Sequence, residues 1–182
     1  VTAAPGQSAP PRLRRGTPGD LAAVSALQLA SWRDAYRGLL PDAYLDGALA
    51  ADLDAVWRRK LDGAPAPRSL LLVAEAAEGS LAGFLYACQE AAGAQSAYLD
   101  NLHVRPEWRG AGLGARLMRA AVPELSALGY GGLHLRVFAQ NTAALRFYER
   151  LGGRIAERSR EDLMGHPADT YRIVWPVLAD LA

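Results

Sequence analysis

Two textures follow each other along the chain. Up to about Lys60, apolar residues recur at helical spacing; from Ser69 to Val104 they gather in short blocks. "TPGDLAAVSALQLASWRDAYRG" starts with Thr17 as a cap and Pro18 in the first turn. Leu21, Val24, Leu27 and Ala30/Ser31 then recur every three or four residues, which predicts a helix broken by Gly38 and Pro41. A second helical stretch is predicted from about Pro41 to Lys60, with Gly47 as its point of interruption, and "GAPAPR" is predicted as a loop. "SLLLVAEA" and "LAGFLYACQE" are apolar runs on either side of "AEGS" and predict a hairpin; "AQSAYLDNLHV" adds a third strand. "AGLGARLMRAAVPELSALG" has the spacing of a helix that begins at glycines and ends at Gly129. In "GGLHLRVFA", Leu133, Leu135 and Val137 alternate as in a strand.

"NTAALRFYERLG" predicts a helix with Asn141 at its start and Gly152 at its end, and "GRIAERSR" and "TYRIVWPVL" predict two closing strands. With Arg12 to Arg15 as a short first strand, the order is strand, two helices, three strands, helix, strand, helix, two strands. Strands joined partly by hairpins and partly by helices imply an α/β (α+β) fold with a mixed sheet and helices on its faces.

Composition narrows the function classes. The 182 residues, 51% hydrophobic and 21% charged, suit a globular domain, with residues 1–11 as a Pro/Gly/Ser-containing tail and 12–182 as one domain. A net charge of +1 gives no reason to invoke nucleic acid or membrane, and no apolar run approaches the ~18 residues of a membrane span. The first residues lack a secretory pattern, so the cytoplasm is the expected location. Cys88 is the one cysteine, in an apolar run, and is expected to be a buried, inert thiol. His103, His134, His166 and Cys88 lack metal-ligand spacing, so no metal is expected. Lys60 is the one lysine and is followed by Leu61, which excludes a Walker loop; no G-x-S-x-G hydrolase elbow occurs.

The chemistry concentrates in "RGAGLGARLM", Arg109 to Met118, with three glycines in five positions ahead of a helix. Such a loop brings backbone N–H groups close to a phosphate, and the helix dipole favours the negative charge. Gly110, Gly112 and Ala115 satisfy the dinucleotide pattern G-x-G-x-x-[G/A]. Against that reading, "RPEWR" separates the loop from its strand, the next strand ends "VFAQN" without a carboxylate, and a hairpin precedes the motif. The alternative uses Arg109: Arg109-x-x-Gly112-x-Gly114 matches [QR]-x-x-G-x-[GA]. Arg116, with Arg105 or Arg146, adds positive charge for phosphates.

With that motif the chain resembles the GNAT family of N-acetyltransferases. "YLDNLHVRPEWRGAGLGARLM" looks like the family's central strand, connection, pyrophosphate loop and helix, and "NTAALRFYERLGGR" resembles its next motif. The likeness runs from about Arg12 to Val177 and is strongest over Tyr98 to Gly153. "SWRDAYRGLLPDAYL" is more loosely similar to the acceptor-side helices of a bacterial branch. The resemblance implies a mixed, mostly antiparallel sheet of six to seven strands, flanked by about four helices and splayed between central strands. It also implies acetyl-CoA as cosubstrate, held by Leu102, His103, Val104, Arg109, Gly110, Ala111, Gly112, Leu113, Gly114, Ala115, Asn141 and Tyr148.

Acetyl transfer to an amine needs a carbonyl oxygen stabilised, a thiolate protonated and a proton removed from the acceptor. For the oxygen, the resemblance points to a backbone N–H at Leu102 to Val104, where the pantetheine arm docks like an added strand. The His103 side chain alternates with Leu102 and Val104, so it is expected to face away in a structural role. Tyr148 occupies the family's general-acid position; a phenol of pKa ~10 can protonate a thiolate whose acid has pKa ~8.5. Leu145, Tyr148 and Leu151 also share helical spacing, so a core aromatic is the competing role. Tyr98 stands where many members carry a glutamate base. Asp100, two residues on and hence expected on the face of Tyr98 and Leu102, is the candidate base, through a water, or the binder of a cationic acceptor; "YLDNLHV" resembles the polyamine acetyltransferases. A solvated surface carboxylate is the alternative role for Asp100. Trp32, Tyr36, Tyr86 and Asp100 are candidates for the acceptor pocket, an aromatic and acidic lining that suits an amine. The expected reaction is direct transfer to a primary amine of a small molecule, polyamine-like among the choices, or of a peptide. A peptide Nα-acetyltransferase and a non-catalytic CoA-binding sensor are the alternatives, and by resemblance a homodimer is an expectation.

Overall fold

The structure, a computed structural model, describes residues 9–38, 40–61, 66–163 and 166–181. Its strands are β1 (Arg12–Arg15), β2 (Leu70–Glu75), β3 (Leu81–Cys88), β4 (Ser96–Val104), β5 (Gly132–Phe138), β6 (Arg154–Leu163) and β7 (His166–Trp175). They form one seven-stranded sheet in the order β1-β2-β3-β4-β5-β7-β6. Short connections make β2, β3 and β4 antiparallel, while the β4–β5 crossover carries a helix and makes that one pairing parallel. The helices are α1 (Leu21–Ala35), α2 (Asp42–Asp46), α3 (Leu49–Leu61), α4 (Leu113–Ala127) and α5 (Thr142–Arg150). Among the described residues no helix is long and apolar enough to cross a membrane.

The helices divide between the two faces as their apolar stripes require. Leu49, Leu53 and Trp57 of α3, four residues apart, are buried. Trp57 joins Val24 and Leu27 of α1 over Leu71, Val73, Phe84 and Tyr86 of the sheet. There the Trp57 indole N–H donates to buried Gln28 Oε1 at 2.7 Å. On the opposite face α4 buries Leu113, Leu117, Met118, Ala121 and Leu125, each large one of these contributing roughly 1.5–3 kcal/mol. Leu145, Phe147 and Tyr148 of α5 pack against that same cluster.

Four expectations change in detail. Gly47 divides the second helical stretch fully, which gives five α-helices rather than four: a Cβ there would lie 2.6 Å from the Ala43 carbonyl oxygen. The closing hairpin is longer than "GRIAERSR" and "TYRIVWPVL" suggest, because pairing extends from Arg154↔Val174 out to Leu163↔His166, through a polar segment with no apolar alternation. β7 stops at Trp175, where Pro176 has no N–H for the ladder, and a turn of 3-10 helix follows at Leu178–Asp180. Residues 1–8 of the expected tail lie outside the described residues. Its last residue, Pro11, is buried and its carbonyl accepts from Arg116 at 3.2 Å. Cys88 is half-buried, and burial pushes its thiol pKa up, in keeping with an inert thiol.

The expected splay is present. β4 and β5 pair only from Ser96↔Gly132 to Tyr98↔His134, and beyond Tyr98 they part. The divergence begins where β4 bulges: Tyr86 pairs with Asn101 and Ala87 with Leu99, so Asp100 has no partner of its own on β3. A bulge bends its strand and increases its twist. The bulky pair Tyr98 and His134, with ring centroids 5.4 Å apart, sits at the vertex.

Candidate active site

The parted strands open a cavity of about 1040 Å³. Asp100 to Val104 of β4 form one wall and Arg136, Val137 and Phe138 of β5 another; Gly112 to Ala115 close one end. Asn141, Phe147 and Tyr148 enter from α5, and Trp32, Asp34 and Tyr36 from α1.

The glycine loop meets this cavity with an unoccupied helix start. Gly110 and Gly112 have φ of 78° and 77°, where any other residue is strained. A Cβ at either meets nothing within 4 Å, so conformation rather than crowding calls for glycine. Gly114 has a different reason: its Cβ would lie 3.2 Å from Phe147 Cζ, a close approach of α4 and α5 that a side chain larger than methyl would push apart. Gly112 is the N-cap of α4 and no side chain caps that helix, which leaves its first N–H groups open at the cavity. Open amides at the positive end of a helix dipole fit a pyrophosphate. Arg109 turns across the cleft: Nε donates to the Val104 carbonyl at 3.1 Å and Nη1 to Asp34 of α1 at 2.9 Å.

The bulge redistributes the side chains of β4. Leu99, Leu102 and Val104 belong to the α4 face. Asn101 and His103 lie opposite Tyr86 and Phe84, on the α1/α3 face. Asp100 therefore does not share a face with Leu102; strict alternation fails at the extra residue. Its carboxylate accepts from Lys60 of α3 and, at 3.0 Å, from the Asn101 amide. The His103 ring packs against Phe84 with centroids 5.2 Å apart and planes tilted by 41°, turned from Leu102 and Val104 as the alternation predicts. Burial and the Arg109 charge lower its pKa to about 4, so it is neutral at pH 7.

Tyr148 lies on the cavity wall with its ring edge-on to Phe147 at 5.1 Å and to Trp175 at 6.0 Å. Its phenol is held well above its ordinary pKa, chiefly by burial, with Tyr36 and Tyr98 adding to the shift. It stays protonated at any working pH. The same desolvation makes a thiolate beside it more basic, so the two pKa values rise together and donation remains feasible.

Most of the expected site residues meet here. Asp100, Leu102, His103, Val104, Arg109, Gly110, Gly112, Leu113, Gly114, Ala115, Asn141, Tyr148, Trp32 and Tyr36 all line the cavity. Asn141 also caps α5 through Oδ1, which accepts from Ala144 N–H at 3.0 Å. Trp32 and Tyr36 pack edge-on at 5.0 Å, so they serve core and cavity at once. Ala111 lies off the wall, and Tyr86 is buried behind Lys60. Sequence reasoning missed Lys60, Asp34 and Arg136. Arg136 was visible as the polar phase of alternating β5; Lys60 and Asp34 are ordinary helix-surface residues until the tertiary fold brings them in.

Residues 29–153 match the acetyltransferase (GNAT) family. The chain belongs to that family. It is thus an acyltransferase that uses acetyl-CoA. The GNAT chain is 29% identical to the peptidyl-lysine N-acetyltransferase YjaB of Salmonella typhimurium over 81% of its own length and 89% of the relative's. Among solved structures it is similar to a PaiA N-acetyltransferase of Thermoplasma acidophilum in complex with coenzyme A, with TM-score 0.64, 22% identity, and 88% and 96% of the two chains covered. It is similar also to the spermidine N-acetyltransferase SpeG of Vibrio cholerae, with TM-score 0.67, 19% identity, and 93% and 96% covered. At those identities the structures show the fold alone.

Proposed function

We propose that this GNAT protein moves the acetyl group of acetyl-CoA directly, in a ternary complex, to the primary amine of a small molecule or a peptide. The observation that carries the reading is the convergence, in one cavity, of an uncapped α4 N-terminus, the unpaired edge of β4 and the protonated Tyr148 phenol. In this reading the amides following Gly112 hold the pyrophosphate. Leu102 to Val104 dock the pantetheine arm through main-chain groups, one N–H facing the thioester oxygen. The acceptor nitrogen bonds to the acetyl carbon as the carbon–sulfur bond breaks, and Tyr148 gives its proton to the departing sulfur. Among the described residues the cavity's carboxylates are engaged, Asp100 by Lys60 and Asp34 by Arg109. Lys60 and the Asn101 amide both take Asp100 Oδ2, so in this reading the acceptor's proton passes, through water, to Oδ1.

The peptidyl-lysine relative favours a peptide acceptor as the second reading, since the likeness covers most of both chains. The test is thiol release from acetyl-CoA across a panel of alkyl amines, amino-acid amides and lysine peptides, with product masses. Turnover with at least one primary amine, giving a singly acetylated product, is the expected result. Tight acetyl-CoA binding without turnover on any of them would overturn it in favour of a sensor.

A further inference from the structure

The one lysine of the chain sits in the cavity rather than on the surface. The Lys60 side chain is 22% exposed, with Nζ 4.7 Å from the Trp57 ring centroid and 4.8 Å from that of Tyr86. The two rings meet edge-on at 5.4 Å and are buried, at 0% and 2% exposure. Trp57 is fixed by its hydrogen bond to Gln28 and Tyr86 by its place in β3. Asp100 completes the enclosure and is itself fixed by Asn101. Two aromatic faces and one carboxylate around an ammonium make a rigid cation site, with the buried rings shielding one side of the charge from water. This is the part of the cavity where the sequence led us to expect an acceptor's positive charge to bind, and the chain's own ammonium already fills it.

We propose that Lys60 is a resident cation, occupying an ammonium subsite made by Trp57, Tyr86 and Asp100, and that it excludes acceptors carrying a second positive charge. The subsite faces the acceptor side of the cavity. Asp100 is two residues from Leu102, the near end of the Leu102 to Val104 segment that the reading above sets beside the thioester; at ~3.3 Å per residue that is roughly 7 Å along β4, less where the bulge bends the strand. A four-carbon diamine with one nitrogen at the thioester spans this distance and would bring its second ammonium to Asp100. With Lys60 there, that ammonium meets a like charge and an engaged carboxylate, so the native preference is for monoamines and for amines whose far end is neutral or anionic. The bulge matters as well: without it Asp100 would not share the α1/α3 face with Asn101.

This inference rests on the acetyltransferase reading and is tested with the full chain. The quantity read is the ratio of kcat/KM for butane-1,4-diamine to that for butylamine, both by thiol release. Lys60→Ala opens the subsite and is expected to raise the ratio about 10-fold or more over the native protein. Lys60→Arg keeps a cation there and is expected to leave the ratio low. Lys60→Gln retains the stem over the rings without the charge; it covers the case in which Lys60→Ala folds poorly, and a smaller rise in the ratio is expected. Adding Asp100→Asn to either uncharged variant should abolish the gain. An unchanged ratio in both uncharged variants overturns the proposal. A binding readout separates this failure from that of the function: the diamine should raise the melting temperature of the uncharged variants more than that of the native protein. If no amine is acetylated by any form, acetyl transfer falls, and the melting shift alone still decides for or against the subsite.

Discussion

Replacing Tyr148 with Phe isolates one atom. The ring contacts to Phe147 and Trp175 stay, and among the described residues no hydrogen bond of the hydroxyl is lost. The hydroxyl has no protein partner among the described residues and opens on the cavity, so its removal should change folding stability little. Catalysis should suffer instead. A positioned proton donor contributes roughly 10²–10⁴-fold, and at 1.36 kcal/mol per decade even a 100-fold drop in kcat is about 2.7 kcal/mol of lost transition-state stabilisation. The assay is kcat with a saturating amine, paired with a single-turnover rate so that chemistry and product release are separated. KM for acetyl-CoA should change less than about 3-fold, since no ground-state contact is removed. An unchanged single-turnover rate removes Tyr148 from the mechanism. Alkaline stability is an independent check. Burial raises the folded pKa above the unfolded phenol's ~10, so the unfolded chain releases this proton first. The contribution is full below pH ~10 and is lost as pH rises through the folded pKa. Tyr148→Phe should therefore flatten the loss of stability above pH 10 in part, with Tyr36, Tyr44, Tyr86, Tyr98 and Tyr130, all also raised, supplying what remains. Superimposable alkaline limbs would refute the burial argument.

Three more outcomes are expected. His103 titrates near 4 when folded and ~6.5 when unfolded, so the unfolded chain binds the extra proton between those values and stability falls as pH drops through that window. The loss is of order 3 kcal/mol, and urea midpoints against pH should show His103→Phe, which keeps a ring against Phe84 and gives up the 3.3 Å contact with Asn101 Oδ1, flattening it. Gly112→Ala meets no neighbour within 4 Å but must hold φ near 77°, at a cost of roughly 1–2 kcal/mol in thermal melts, together with a raised KM for acetyl-CoA. Gln28→Leu leaves the buried Trp57 indole N–H without its acceptor and should cost about 1–3 kcal/mol, seen as a lower denaturant midpoint at constant slope.

The sheet and its helices were legible because apolar spacing carries them. Leu49, Leu53 and Trp57, or the buried stripe of α4, announce a face without knowledge of the partner. The outer half of the closing hairpin was not legible: its exposed residues have no apolar phase, and only pairing makes them strands. The glycine loop was legible because left-handed backbone leaves a chemical mark, glycine, at Gly110 and Gly112. The mark did not separate two causes, for Gly114 answers to Phe147 and not to backbone. Asp100 was found as a residue and misplaced as a side chain. Nothing in "YLDNLHV" signals a bulge, so a period of two carried the wrong face through to Leu102. Lys60 lies forty positions from Asp100, and no local pattern couples them.

The two ion pairs spanning the cavity differ in what they let in. Arg109 and Asp34 are exposed, at 46% and 63%, and such a pair is worth at most about 1 kcal/mol; under the proposed function, a pyrophosphate reaching Arg109 would exchange Asp34 away at little cost. Such an exchange would free α1 from the loop and so tie cofactor arrival to the helix that carries Trp32 and Tyr36. Lys60 and Asp100 are less exposed, at 22% and 28%, and the ammonium is held by two rings besides the carboxylate. Its displacement costs contact with all three, and an acceptor recovers them only by placing a cation of its own at the same spot. The cofactor end of the cavity is thus poised for exchange, while the acceptor end holds its own charge. If the Lys60 proposal holds, acceptor selectivity in this chain depends less on which carboxylate the central strand offers than on whether that carboxylate is already taken.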